Sequence, residues 1–243
     1  MSGQLSFSFS DANAGLHCFG RSGETAVVLS PNGPSSFDSV EVAQVDDRFE
    51  IALGAFGETL LEPLGPPVAF RQHQRSDWLC RARATMADGR TLDGFGCVTL
   101  AERGLGRLTR RRSIWIYFED GLALTLLAER ASSKPGHDEP VAAFVARGAP
   151  LEASPLEDPL VSSTYRADPL TGAGGRLVHA GLELWEGEDA ETRERARALR
   201  ISGETIAAAE LTQDGVATSV AFLAWHHRGR RGTGAYLNET VAS

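Results

Sequence analysis

The stretch WLCRARATMADGRTLDGFGCVTLAE at residues 78–102 predicts two β-strands joined by a turn at residues 88–89. Residue types alternate before the turn, and a Gly-Phe-Gly step lies in the strand after it. A second stretch, AFLAWHHRGRRGTGAYLNET at residues 221–240, has the same plan, with its turn at residues 228–229 and a Gly-Thr-Gly step. We interpret the two as one β-hairpin unit used twice, which predicts a barrel or sandwich built from two similar halves.

Strand signals also dominate the rest of the chain. Residues 5–10 alternate strictly, residues 112–129 resemble a hairpin, and residues 176–186 and 219–227 are two further strand candidates. Turn residues recur about every ten positions, which is the rhythm of a β-barrel or β-sandwich. Residues 189–200 fit either a short helix or the start of a strand. The sequence therefore predicts an all-β fold.

The division of the chain is predicted from its least regular segment. Residues 132–175 are rich in proline and glycine, and we expect a long linker or flap there. The boundary is expected at residues 148–158, which divides the chain into an N-terminal half, 1–150, and a C-terminal half, 151–243. One continuous domain is the alternative.

Charge and cysteine content limit the class of protein. The net charge of −8 disfavours a nucleic-acid partner, because an acidic chain repels phosphate backbones. Cys18, Cys80 and Cys97 are odd in number and lack CxxC spacing, which disfavours a disulfide framework or a zinc site and fits a reducing cytoplasm. No stretch approaches the roughly 20 apolar residues of a membrane span. We expect a cytoplasmic protein with no membrane span.

Alternation sorts each strong strand into two faces. On three strands one face is aliphatic, while the other mixes Trp with Tyr, His or Glu. One interpretation is that the aliphatic faces form the core and the mixed faces are half-exposed. The other is that the mixed faces line a cavity in which aromatic walls hold an apolar ligand and a few polar groups orient it.

On the second interpretation, the mixed faces supply the candidate site. The expected ligand-binding residues are Trp115, Tyr117, Trp185, Trp225 and His227. The expected proton donors or bases are His179, Glu183 and Glu119. His179 and Glu183 are four residues apart on one strand, about 13 Å, so they would address opposite ends of a ligand. No metal or cofactor is expected.

Three arginines stand in a row where the hairpin at 112–129 begins. Arg110, Arg111 and Arg112 are either a charged approach to the strand or a clamp for a carboxylate or phosphate group.

The segments AFLAWHH, GRRGTG and AYLNET resemble the close of the carotenoid 1,2-hydratase (hydroxyneurosporene synthase) proteins, whose chains also end on a strand, a glycine turn and a strand bearing Gly, Tyr and Glu. GFGCVTLAERG at 94–104 resembles the glycine-led strand that closes their first half. The resemblance implies two lipocalin-like β-barrels or half-barrels. It also implies hydration, cyclisation or isomerisation of isoprenoid-type molecules without a redox cofactor. The chain departs from that family at 100–108, LAERGLGRL, where the family's His/Asp-rich segment and Trp-Gly are missing.

Three hypotheses for function follow. The first is an enzyme, a lyase or isomerase that transfers protons to an isoprenoid- or polyketide-like substrate without a cofactor. The second is a carrier for a lipid-like molecule, with no turnover. The third is a β interaction module whose mixed faces form a homodimer.

Overall fold

The computed structural model describes residues 3–54, 57–86, 89–102, 104–131, 139–166, 175–186 and 198–241. These ranges contain eighteen β-strands, a 3-10 turn at Arg71–His73 and no α-helix. Within them, no helix is long and apolar enough to cross a membrane. The predicted all-β fold is confirmed.

The first ten strands form one antiparallel sheet. Their bounds are β1 (Gln4–Asp11), β2 (Leu16–Arg21), β3 (Ala26–Ser30), β4 (Gly33–Phe37), β5 (Glu41–Val45), β6 (Arg48–Ala52), β7 (Gly57–Pro63), β8 (Val68–Phe70), β9 (Arg75–Met86) and β10 (Thr91–Ala101). The strand order is β4-β3-β2-β1-β10-β9-β7-β6-β5, and β8 pairs with β9 beside β7. The sheet wraps as a half-barrel around a core of its own.

The other eight strands form a closed antiparallel barrel, in chain order. Their bounds are β11 (Arg110–Phe118), β12 (Ala123–Arg130), β13 (Val141–Arg147), β14 (Glu152–Arg166), β15 (Arg176–Glu186), β16 (Ala198–Gln213), β17 (Val216–His227) and β18 (Arg230–Val241). Pairing of β18 with β11 closes it, with Ile114 opposite Tyr236. The barrel and the half-barrel confirm the prediction of two β halves, although their residue ranges are not the expected 1–150 and 151–243.

The duplicated hairpin occupies the same place in each half. The hairpin β9–β10 ends the first half, and β10 pairs with β1; the hairpin β17–β18 ends the second half, and β18 pairs with β11. The glycine steps lie where each last strand touches its first strand. A Cβ atom on Gly94 would lie 2.2 Å from the Ser10 carbonyl oxygen, and one on Gly234 would lie 2.0 Å from that of Trp115. Any other residue at these two positions would push the closing strands apart.

The division of the chain differs from the expected one. The first sheet ends at Ala101 and the barrel begins at Arg110, so the two sheets change over at residues 102–109. The expected boundary at 148–158 lies inside the barrel, since β13 and β14 pair directly.

Much of the predicted linker at 132–175 is strand, which corrects that expectation. Strands β13 and β14 occupy residues 141–147 and 152–166 of it. Pro159 is accommodated because β14 has a register shift between Glu157 and Leu160. Residues 132–138 and 167–174 lie outside the described ranges, as do residues 189–197 of the segment that fits either helix or strand; its last residues begin β16.

The two halves pack through the outer face of the barrel. An apolar cluster joins the half-barrel strands β2, β3, β9 and β10 to the barrel strands, and it comprises Phe19, Val27, Leu29, Leu79, Cys97, Trp115, Ala123, Ala146, Leu151, Val220, Phe222 and Ala235. The interface is therefore a third hydrophobic core beside those inside each half.

A buried ion pair lies within this interface. Asp77, on β9, is 0% exposed and accepts hydrogen bonds from Arg75 Nε at 2.7 Å and Thr99 Oγ1 at 2.8 Å within its own half. From the barrel, Thr125 Oγ1 donates to the same carboxylate at 2.7 Å. Arg75 in turn donates from Nη1 to Ser113 Oγ on β11 at 2.5 Å. The pair therefore ties the two halves together, and its hydrogen bonds offset the cost of burying the charges.

A buried imidazole lies nearby in the same interface. His17 Nδ1 shares a hydrogen bond with Ser10 Oγ at 2.8 Å, Ser10 Oγ contacts Thr233 Oγ1 of the barrel at 2.8 Å, and the ring stacks on Phe222 at 5.0 Å. Burial lowers the pKa of His17 to about 4, although the charge of Asp11 acts in the opposite direction. His17 is therefore neutral in the folded protein near neutral pH.

We predict that Asp77→Asn lowers the free energy of unfolding by about 3–5 kcal/mol, because it leaves the Arg75 guanidinium buried without its counter-ion. Asp93→Asn is the matched control, since the Asp93 side chain is 56% exposed in its pair with Arg81 and should change stability by about 0–1 kcal/mol. Urea denaturation of both variants measures the difference. Equal effects would contradict the structural role given to Asp77.

We also predict a pH dependence from His17. Its folded-state pKa of about 4 lies below the ordinary value of 6.5, so the unfolded chain takes up a proton first as the pH falls. The free energy of unfolding then falls between these two pH values as the pH is lowered, by up to about 1.4 kcal/mol per pH unit. Below the lower value His17 is protonated in both states, so it causes no further loss. His17→Gln should remove this contribution, whereas His179→Gln on the exposed outer surface should retain it. Urea denaturation over this pH range checks both, and a wild-type slope in His17→Gln would refute the assignment.

Candidate functional site

The inward face of the barrel is apolar and buried. We call the space enclosed by β11–β18 the lumen. Its core consists of Ile114, Ile116, Phe118, Leu122, Leu124, Leu126, Ala128, Ala143, Val145, Leu156, Leu177, Ala180, Leu182, Leu184, Leu199, Ile201, Ala221, Leu223, Trp225 and Tyr236. Four of these residues are alanines, whose side chains are short. Such a wall suits an apolar molecule better than a polar one.

Trp225 is on β17, and its side chain belongs to the core inside the lumen. Its side chain is 0% exposed, and it is paired with Gly203 on β16. The indole ring covers Gly203 closely, because a Cβ atom there would lie 2.6 Å from the ring carbon Cε3. Glycine at position 203 therefore leaves the room that the indole occupies.

Two buried polar atoms near this point have no hydrogen-bond partner among the described residues. They are Trp225 Nε1 and Thr205 Oγ1. Thr205 is opposite Leu223, so it is a diagonal neighbour of Trp225 on the same face of the β16–β17 pair. Buried polar groups are normally paired, and an unpaired one costs about 1–3 kcal/mol. The lumen thus holds one free donor and one free hydroxyl.

His227 is buried two residues beyond Trp225. Its Nδ1 is 2.9 Å from the backbone oxygen of Arg200, and its ring centre is 6.1 Å from that of Phe118. Because a carbonyl oxygen only accepts, Nδ1 carries the proton in this contact. His227 therefore helps to close this end of the lumen beside Phe118.

The opposite end of the lumen is polar. Arg112, on β11, donates from Nε to Glu139 at 3.1 Å, from Nη2 to the same carboxylate, and from Nη1 to the Tyr236 hydroxyl at 3.3 Å. Arg110 donates from Nε to Asn238 Oδ1 at 2.6 Å and from Nη2 to the Tyr165 hydroxyl at 3.1 Å. Burial raises the pKa of Tyr236, and the Arg112 charge opposes the rise. We call these six residues the arginine–tyrosine cluster.

The three predicted acid–base residues lie outside the lumen. His179 is exposed on the outer face of β15, and Glu183 on the same face pairs with exposed Arg200 at 3.0 Å. Glu119 is exposed in the turn after β11. The structure does not bring the three together, because β15 directs its aliphatic face inward and β11 ends before Glu119.

The predicted ligand-binding residues are divided among three places. Trp225 and His227 face the lumen, while Trp185 is half-buried on the outer face of β15. Trp115 and Tyr117 face the half-barrel: the Trp115 Nε1 donates to Ser8 Oγ at 2.6 Å, and the Tyr117 ring stacks on Phe95 at 3.6 Å. The Trp-bearing face therefore has a different environment on each strand. It is partly exposed to solvent on β15, it contacts the half-barrel on β11, and it faces the lumen on β17.

Sequence reasoning missed Thr205, Gly203 and Tyr236 as lumen residues. Alternation places them on one side of their strands, but it carries no sign of which side faces inward. Arg112 was visible in the sequence as part of the arginine row, with a carboxylate clamp as one of its two interpretations. Among the described residues, no three His, Cys, Asp or Glu side chains converge to form a metal site.

Comparison with known proteins identifies the architecture. No family model and no curated protein sequence matches the chain. Solved structures do: an AttH-type protein from Nitrosomonas europaea has a TM-score of 0.63 and 11% identity over 99% of this chain and 92% of that one. CghA has a TM-score of 0.58 and 9% identity over 100% of this chain and 89% of that one, and CghA with Sch210972 has a TM-score of 0.57 with the same identity and coverage. At such low identity the likeness shows the fold alone, which is the predicted lipocalin-like one.

We predict opposite effects from two threonine-to-valine changes of equal size. Thr205→Val should leave the free energy of unfolding unchanged or raise it by about 1 kcal/mol, because it removes an unpaired buried hydroxyl. Thr125→Val should lower it by about 1.5–3 kcal/mol, because it removes a hydrogen bond to the buried Asp77 carboxylate. Urea denaturation compares the two. A loss in Thr205→Val as large as that in Thr125→Val would contradict the unpaired state of Thr205.

Proposed function

We propose that the lumen binds an apolar small molecule that carries a hydrogen-bond acceptor. The observation that carries this proposal is the pair of unpartnered polar atoms, Trp225 Nε1 and Thr205 Oγ1, inside an otherwise apolar and buried wall. A ligand oxygen placed between them would receive one hydrogen bond from the indole and one from the hydroxyl. The free-energy cost of burying both groups without hydrogen bonds would then be offset when the ligand binds.

The wall around these two atoms indicates what else the ligand must be. The wall consists of aliphatic side chains and a few aromatic rings. Contacts with a ligand would therefore be mainly van der Waals contacts, which distinguish ligands by their shape. CghA, which shares the fold, has been crystallised with Sch210972, so one protein of this architecture has a known bound compound. An isoprenoid- or polyketide-like molecule fits this description.

The proposal concerns binding. A carrier and a cofactor-free enzyme of hydration, cyclisation or isomerisation share that step. It gives no role to His179, Glu183 or Glu119, because their side chains lie on the outer surface. Ionisable groups of the lumen itself are the ones that could exchange protons with a ligand, and the buried side chains of His227 and Tyr236 are among them.

The test uses the fluorescence of methyl cis-parinarate, a polyene ester that emits when transferred from water to an apolar site, with retinol as a ring-bearing second probe. Wild-type protein should bind at least one probe saturably. Trp225→Phe, which keeps an aromatic ring and removes the Nε1 donor, should weaken binding about threefold to tenfold.

The matched control is Trp185→Phe, the same change on the outer face of β15. It should leave both affinities unchanged. If neither probe binds saturably, or if Trp185→Phe weakens binding as much as Trp225→Phe, the lumen is not the binding site.

A further inference from the structure

The arginine row at residues 110–112 is split by strand alternation. Arg111 faces the half-barrel, where Nε donates to Glu129 at 2.8 Å and Nη1 lies 3.7 Å from Glu239. Arg110 and Arg112 face the other way, into the arginine–tyrosine cluster at one end of the lumen. The row is therefore one interface arginine between two lumen arginines, and only the latter can meet a ligand inside the barrel.

Arg112 already holds a carboxylate. Its Nε and Nη2 both donate to Glu139, which is the side-on, two-bond geometry that guanidinium groups form with carboxylates. Its remaining nitrogen, Nη1, donates to the Tyr236 hydroxyl. The Tyr236 hydroxyl accepts this bond and also hydrogen-bonds the half-exposed Tyr165 hydroxyl, so a ligand carboxylate would take its proton in place of Tyr165. The geometry at this end of the lumen is thus that of a carboxylate receptor.

The carboxylate bound to Arg112 belongs to Glu139, which lies outside the strands of the barrel and could move without disrupting them. Glu139 precedes β13 and lies in no strand, so its movement would not break the barrel's hydrogen-bond ladder. Arg130 Nη2 lies 3.9 Å from the same carboxylate and would still be beside Glu139 after a small displacement. Exchange of this carboxylate for another therefore need not leave Glu139 without a cation.

The cluster also joins the lumen to solvent. Tyr236 is 1% exposed and belongs to the lumen core, whereas Tyr165, whose hydroxyl meets Arg110, is 38% exposed. A ligand could therefore place an apolar body among the aliphatic side chains and keep a charged end near water. This arrangement lowers the cost of desolvating the charge.

We propose that the arginine–tyrosine cluster binds the carboxylate of the lumen ligand, with Arg112 and Tyr236 as its donors and Glu139 as the group that it displaces. The proposal rests on the proposed function and narrows the ligand to an apolar carboxylic acid. Glu139 acts as an internal competitor that satisfies Arg112 when the lumen has no ligand.

The experiment compares cis-parinaric acid with its methyl ester, at a pH at which the free acid is ionised. The two probes have the same polyene body and differ in the charge at one end. Wild-type protein should bind the acid more tightly than the ester. Arg112→Gln should weaken acid binding about tenfold or more, and Tyr236→Phe about threefold to tenfold, while both leave ester binding nearly unchanged.

The Glu139→Gln variant tests directly whether Glu139 competes with the ligand carboxylate for Arg112. Removal of the competing carboxylate should tighten binding of the acid and leave that of the ester unchanged, a gain that a merely structural role of Glu139 would not produce. Tyr117→Phe, which removes a phenol hydroxyl at the interface between the halves, is the control and should alter neither probe.

The outcomes separate the two proposals. If the ester binds and Trp225→Phe weakens it, but acid and ester respond alike to Arg112→Gln, Tyr236→Phe and Glu139→Gln, the carboxylate site is refuted and the proposed function stands. If neither probe binds, the proposed function fails and the carboxylate site fails with it. Ester binding also reports folding, so loss of both probes only in Arg112→Gln marks an unfolded variant, and Tyr236→Phe and Glu139→Gln then decide.

Discussion

Contact between the last and first strands of each half is the constraint on which the rest of the structure depends. In the half-barrel β10 lies against β1, and in the barrel β18 lies against β11. Gly94 and Gly234 allow the paired strands to approach closely, because neither position has room for a Cβ atom. In the second half the contact closes the barrel, and closure gives every strand one face toward the lumen and one face outward.

The outer face of the barrel is specialised for the interface. Where β11 and β12 meet the half-barrel, the outward positions carry Trp115, Ser113 and Thr125, whose polar atoms all find partners across the interface. Asp77 accepts the bond from Thr125 and is linked to Ser113 through Arg75, whereas Trp115 donates to Ser8. Trp115 and Tyr117, which sequence patterning associates with a ligand site, thus act here as structural contacts between the two halves. Buried polar groups with complete hydrogen bonding specify one arrangement of the halves, since any slippage would leave them unpaired.

The lumen has the opposite character. Its polar atoms are few, and two of them, Trp225 Nε1 and Thr205 Oγ1, have no partner among the described residues. At its other end Arg112, Tyr236 and Glu139 form a paired cluster that reaches toward solvent. A protein selected for stability alone would fill the first site with apolar groups. This pair of unpartnered atoms is the basis for placing the candidate site inside the barrel; in the half-barrel, Thr59 Oγ1 is also without a partner among the described residues.

The sequence by itself determined the all-β class, the repeated hairpin, and turns such as those at 119–121 and 228–229, because local alternation and turn chemistry act within a few residues. It also showed the arginine row. Tertiary structure alone decided which face of each strand is inside: β15 turns Trp185 outward, β17 turns Trp225 inward, and β11 turns Trp115 toward the other half. Alternation is unchanged when the two faces of a strand are exchanged, so the choice is made only when distant strands pair and close the barrel.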